Sequence, residues 1–281
     1  MKLFNLSPVA LFAAVFFTIS ALLAPQADAK SGPWVQIDAG RLRLVAAQID
    51  QQLFLAVDFQ LAEGWHTYWR HPGASGIAPQ FELIAPSEAT LGQTIYPAPR
   101  FFEDGAGGFN GYAGAAGFVL PFALAPSGTA APVGPQLLTL RAMIGVCRDI
   151  CIPLTVDLSL RIDAAGLQQK PSQQLIANLL AQRPQPPSDA LFIAAADYDG
   201  TDLYVRVQGK ALDQPQIFIV PTADDVIGPP KLVTNTAGEH IFKLSAWSSL
   251  DHGLIGRKLA IVVRDQYRAI EQNIEVMKTS N

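Results

Sequence analysis

Cysteine is nearly absent from this 281-residue chain; only Cys147 and Cys151 occur. Small disulfide scaffolds use many cysteines, so that class is excluded, and one close pair is too sparse to staple two domains. Charge is scarce as well: charged residues make up 16% and the formal net charge is −4. That leaves no electrostatic footprint for nucleic acid, and no nucleic-acid partner is expected. Histidine occurs four times, at His66, His71, His240 and His252. The last two have no sequence neighbours to act with and read as solvated turn residues. Long apolar runs are missing beyond the N-terminus. The most apolar later stretches, 217–220 and 259–263, have only strand length.

The N-terminus differs. Lys2 supplies a positive start, an apolar run covers 9–23, and Ala27-Asp28-Ala29 follows as a small-x-small signal. This grammar predicts a cleavable signal peptide over 1–29, a mature chain from Lys30 and export to the periplasm. An uncleaved anchor is the alternative, at the lower length limit for a spanning helix. No cysteine lies near the cleavage point, which argues against a lipoprotein.

Glycine (22) and proline (21) are plentiful, as many short strands joined by turns require. Apolar residues alternate with period two. Leu53, Leu55, Val57, Phe59 and Leu61 oppose Phe54, Ala56, Asp58 and Gln60. Leu138, Leu140, Ala142 and Ile144 form another stripe, and Val156, Leu158, Leu160 and Ile162 a third. These are half-buried strands. One helix is expected over 171–182, with proline at its start and Leu175, Ile176, Leu179 and Leu180 at helical spacing. A proline-rich linker follows at 183–188. Strands then resume with Leu203, Val205 and Val207, with 217–220 and 259–263, and more weakly with Ile270, Ile274 and Val276. The expected architecture is all-β. Two β-sandwich domains cover 30–168 and 189–281, with the helix and linker at 169–188 between them. The second domain shows no acid–base cluster and reads as a structural or docking module.

Chemistry concentrates at Gly145-Val146-Cys147-Arg148-Asp149-Ile150-Cys151-Ile152-Pro153. In an extended strand, residues four apart are roughly 13 Å apart, whereas a disulfide needs Cα atoms within about 4.4–6.8 Å. Either the segment folds back as a turn, punctuated by Gly145 and Pro153, or the thiols never pair. A static staple this short adds only about 2 kcal/mol on the chain-entropy formula. A redox pair is the better use of such spacing. Exchange needs a thiolate, and a free cysteine is only about 3% ionised at pH 7. Arg148 and Arg141 are the candidates to stabilise it, with Asp149 opposing them.

Two other functions use the same residues. Cys147 and Cys151 with His66 or His71 could hold Cu(I), which prefers soft ligands, and act in copper tolerance. An envelope docking sandwich with an inert disulfide is the third reading. Trp65, Tyr68 and Trp69, with the histidines His66 and His71, could line a ligand groove or simply join the core.

Three segments together resemble a known family. They are Gly64-Trp65-His66-Thr67-Tyr68-Trp69-Arg70-His71-Pro72-Gly73-Ala74-Ser75-Gly76, then Tyr96-Pro97-Ala98-Pro99-Arg100-Phe101 with the glycine-rich run to Tyr112, then Cys151-Ile152-Pro153. In order and spacing they resemble the N-terminal periplasmic domain of the thiol:disulfide interchange protein DsbD, in its ScsB-like form. The resemblance implies an immunoglobulin-like sandwich and a thiol:disulfide oxidoreductase relay without a bound cofactor. Electrons would come from a membrane-embedded thiol reductase and pass to periplasmic thioredoxin-like or disulfide isomerase proteins. It implies Cys151 as the attacking thiol, Cys147 as the resolving one, and a cap loop in which Phe101, Phe102, Phe109 and Tyr112 shield them. Gly105, Gly107, Gly108 and Gly111 would let that loop move. Full-length family members continue into transmembrane and thioredoxin-like domains, so the expected reductant here is a separate protein. Leu154 stands where the family leads one to expect an acid, and beyond about residue 189 the resemblance weakens.

Overall fold

The period-two stripes become the inner faces of paired sheets. A computed structural model describes residues 31–73, 76–103, 108–124, 134–210, 212–236 and 238–279. The expected signal peptide, Gly105 and Gly107 lie outside the described residues. The first domain contains β1 (Val35–Ile37), β2 (Gly40–Ile49), β3 (Gln52–Leu61), β4 (His66–Gly73), β5 (Gln80–Ala85), β6 (Thr90–Leu91), β7 (Arg100–Phe102), β8 (Phe109–Ala113), β9 (Ala115–Ala123), β10 (Gln136–Cys147) and β11 (Cys151–Ile162). One sheet runs β1-β2-β3-β9-β6 and the other β11-β10-β4-β8-β7, with β5 also on β10. Leu42, Leu44, Leu53, Leu55, Val57 and Phe59 of the first sheet meet Leu138, Leu140, Ala142 and Ile144 of the second in one closed core.

Two helices follow, α1 (Ala164–Leu167) and α2 (Lys170–Ala181). Asp163 caps α1 by accepting from the Gly166 amide at 2.6 Å. The proline at the start of α2 sits where its missing N–H costs nothing. The apolar stripe of α2 packs on the first domain. Ile176 packs with Val45, Ala47, Ala56 and Val119 on the outer side of the first sheet. That corrects the reading of β3 as half-buried: its second face, through Ala56 and Asp58, is covered too. Asp58 is compensated there by Arg43 at 2.9 Å.

The second domain holds β12 (Leu191–Tyr198), β13 (Asp202–Gly209), β14 (Gln216–Val220), β15 (Asp225–Ile227), β16 (Lys231–Asn235), β17 (Glu239–Ser248), β18 (Lys258–Arg264), β19 (Ala269–Glu275) and β20 (Met277–Lys278). They form the sheets β15-β17-β13-β12-β20, with β16 on β17, and β14-β18-β19. Leu203, Val205, Val207, Leu259, Ile261 and Val263 fill its separate core. His240 is not a solvated turn residue. It lies on β17 at 0% exposure, with its Nδ1 2.6 Å from Asn235 Oδ1.

The domains are packed together rather than merely tethered. Phe218 and Val262 belong to the first domain's core, and the Phe218 ring meets Trp69 edge-on at 5.9 Å. Arg70 pairs with Glu271 at 2.6 Å, and Arg264 donates to the carbonyls of Ala98 and Pro99. The 183–188 stretch is itself pinned: the Gln185 amide donates to Ala269, and its carbonyl accepts from Glu271.

Candidate functional site

β10 and β11 pair antiparallel along their whole length, ending in the pair Cys147–Cys151. The chain therefore folds back over Arg148, Asp149 and Ile150. The Cα atoms stand 4.1 Å apart and the two cysteines form a disulfide. They differ in access. Cys147 is buried at 7% exposure, while Cys151 is exposed.

β4 supplies the neighbouring side chains. His66 is opposite Cys147 in register, and Thr67 Oγ1 donates to the Gly145 carbonyl at 2.8 Å, fastening the two strands. Tyr68, two residues on from His66 and so on the same strand face, reaches the disulfide: its hydroxyl lies 2.9 Å from Cys151 Sγ. Gly145 makes room, since a Cβ there would stand 2.8 Å from Tyr68 Cδ2 and from Ile77 Cβ.

The cap segment divides. Phe102 and Phe109 stack on each other at 5.0 Å. Phe109 lies 3.9 Å from the His66 ring in parallel planes, and with Tyr68 and Cys147 they make one small apolar cluster. Phe101 and Tyr112 do not join it. Strand alternation turns both the other way. Phe101 packs on the main core, with its amide donating to Gln216 of the second domain. Tyr112 is buried in that core, with its hydroxyl donating to the Pro97 carbonyl; burial pushes its pKa well up.

The two arginine candidates are held elsewhere. Arg141 lies opposite Asp157 in register and binds it through two hydrogen bonds, at 2.8 and 2.9 Å. The hydrogen bond from Arg141 holds the Asp157 carboxyl below its usual range. Six strand residues, roughly 20 Å, separate Arg141 from Cys147, so it is not a thiolate partner. Arg148 is at the turn, but its guanidinium pairs with Asp149 at 3.0 Å and lies 5.3 Å from the Trp65 ring centroid.

Of the two histidines expected as alternative third ligands beside the cysteines, His66 stands opposite Cys147 in register. His71 instead lines a cavity of about 710 Å³ between the domains. Among the described residues no group of three or more His, Cys, Asp or Glu is placed to hold a metal ion.

Sequence reasoning offered Tyr68 only as a groove or core aromatic and missed its contact with the sulfur. The only signal for it was its period-two relation to His66. The hairpin also presents Ile150, 76% exposed, and Ile152, 37% exposed, to solvent.

A disulfide with one open and one sheltered sulfur is suited to exchange. An incoming thiolate attacks the open sulfur and expels the other as thiolate. The fold and this pair define a thiol–disulfide exchange module built on an immunoglobulin-like sandwich. Residues 39–162 match the family model "Thiol:disulfide interchange protein DsbD, N-terminal" and form a DsbD N-terminal-like domain. Residues 182–279 match a domain of unknown function, DUF8393. The crystal structure of the N-terminal periplasmic domain of ScsB from Proteus mirabilis is similar in fold. Its TM-score is 0.71 at 21% identity, over 89% of this chain and 99% of that one. Comparison with curated protein sequences gave no match.

Proposed function

We propose that this chain is a periplasmic electron relay. It takes two electrons from a membrane-embedded thiol reductase and passes them to periplasmic disulfide proteins of thioredoxin-like or isomerase type. A signal peptide over 1–29 would deliver it there. The difference in access between the two sulfurs carries the reading: Cys151 is exposed and Cys147 is buried. In the reduced chain the Cys151 thiolate attacks a partner disulfide. One partner sulfur leaves as thiolate and a mixed disulfide forms. Cys147, deprotonated, then attacks Cys151 Sγ, releases the second partner thiolate and closes Cys147–Cys151. Two electrons have moved to the partner, and the reductase restores the dithiol. Tyr68 orients and supports the open sulfur, while Phe102 and Phe109 cover the sheltered one. No bound cofactor enters this scheme.

Trapping in cells tests it. Cys147→Ser should accumulate mixed disulfides through Cys151, and Cys151→Ser should not. Absence of adducts with both variants would refute the relay.

A further inference from the structure

A cleft of about 560 Å³ opens where the approach to β7, the end of α2 with its following stretch, and the β18–β19 turn meet. Arg100, Arg183, Arg264 and Arg268 line it, with Tyr267 at hand, and among the described residues no aspartate or glutamate does. In a chain of net charge −4 this is a local reversal of sign.

Outside the cleft most arginines are neutralised: Arg43, Arg70, Arg141, Arg148, Arg206 and Arg257 each meet a carboxylate, and among the described residues only Arg41 and Arg161 there have no ion-pair partner. In the cleft only Arg268 meets a carboxylate, through Asp265 at 3.3 Å. Among the described residues Arg100, Arg183 and Arg264 have no ion-pair partner. Arg264 is half-buried, and the carbonyls of Ala98 and Pro99 that it binds carry no charge to offset its own. Burial first, and then the charge of Arg100, push its pKa down, with the nearby charge of Asp265 opposing them in part. Like charges held together at a partly desolvated place cost free energy that a bound anion would relieve.

We propose that this cleft binds a phosphate-class oxyanion, carried by a small soluble molecule or by a lipid headgroup. Guanidinium forks match such oxygens two at a time. The volume falls in the small-molecule range of about 300–1,000 Å³, and Tyr267, 81% exposed, offers a face for an organic body.

Isothermal titration of the full chain with pyrophosphate and with glycerol 3-phosphate reads the soluble source. Flotation with phosphatidylcholine vesicles, with and without phosphatidylglycerol, reads the lipid source. Binding is expected in at least one arm. Arg100→Ala with Arg183→Ala should weaken it about tenfold or more. Lys231→Ala with Lys278→Ala, an equal charge change at exposed lysines elsewhere, should leave it unchanged. Should the arginine pair fail to fold, the titrant or vesicle that binds the wild-type chain must still protect Arg100 and Arg183 from phenylglyoxal. No binding in either arm, equal weakening by the lysine pair, or no protection overturns the site.

Discussion

The Tyr68 hydroxyl lies 2.9 Å from Cys151 Sγ, on a ring that is itself 1% exposed. When the pair is reduced, that hydroxyl can donate to a Cys151 thiolate and favour the charged form. A hydrogen bond to a charged group contributes about 1.5–3 kcal/mol. Tyr68→Phe should therefore slow exchange at neutral pH about tenfold or more and move the pH profile of the rate upward. Stopped-flow exchange with a small disulfide reads both, and an unchanged profile would remove Tyr68 from the mechanism.

Gly145 is the space that Tyr68 occupies. Gly145→Ala should force the ring or Ile77 aside, at about 1–3 kcal/mol for overpacking. Denaturant unfolding measures that cost. The same variant should lose part of the Tyr68 effect on exchange; loss of stability with a wild-type exchange rate would mean that the ring position does not matter to the sulfur.

Phe218 comes from the second domain but is buried in the core of the first. Truncation to alanine should cost about 3–5 kcal/mol, as for a buried aromatic. Because that side chain is shared, the wild-type chain should unfold in one transition followed by probes in both domains. If Phe218→Ala leaves the first domain's unfolding untouched, the shared packing carries no coupling.

The imidazole of His71 is desolvated at the inter-domain cavity, which lowers its pKa below the ordinary 6.5. The neutral ring is thus favoured in the folded state. As pH falls through about 6.5, the unfolded chain takes up the proton first, so stability drops as the solution becomes more acidic. His71→Gln should flatten this part of the stability–pH curve. Urea midpoints from neutral to mildly acid pH report the slope, and an identical slope in the variant would exclude His71 as its source.

Much of this fold was legible because strand alternation is local. The stripes at 53–61, 138–144 and 156–162 mark three core strands, and the helix expected over 171–182 is found at Lys170–Ala181. What the helix covers was not legible. An amphipathic stripe says that a face is buried, not which sheet buries it, and Ala56 looks the same facing water or Ile176. The cysteine turn declared itself by spacing, but its surroundings depend on register. Arg141 seemed available until β11 brought Asp157 opposite it. Tyr68 seemed one aromatic among several until β4 was set beside β10. His240 carried no local hint of burial, because its partner Asn235 sits across a turn.

The seating of α2 on the first sheet has a practical consequence for anyone cutting this chain. A fragment stopped at Ile162, where the β-strands of the first sandwich end, would strip the lid from Val45, Ala47, Ala56 and Val119. It would then display a flat greasy panel, the kind of surface that makes truncated proteins clump. The smallest piece fit for expression ends after Ala181, and even that one leaves the seat of Phe218 vacant.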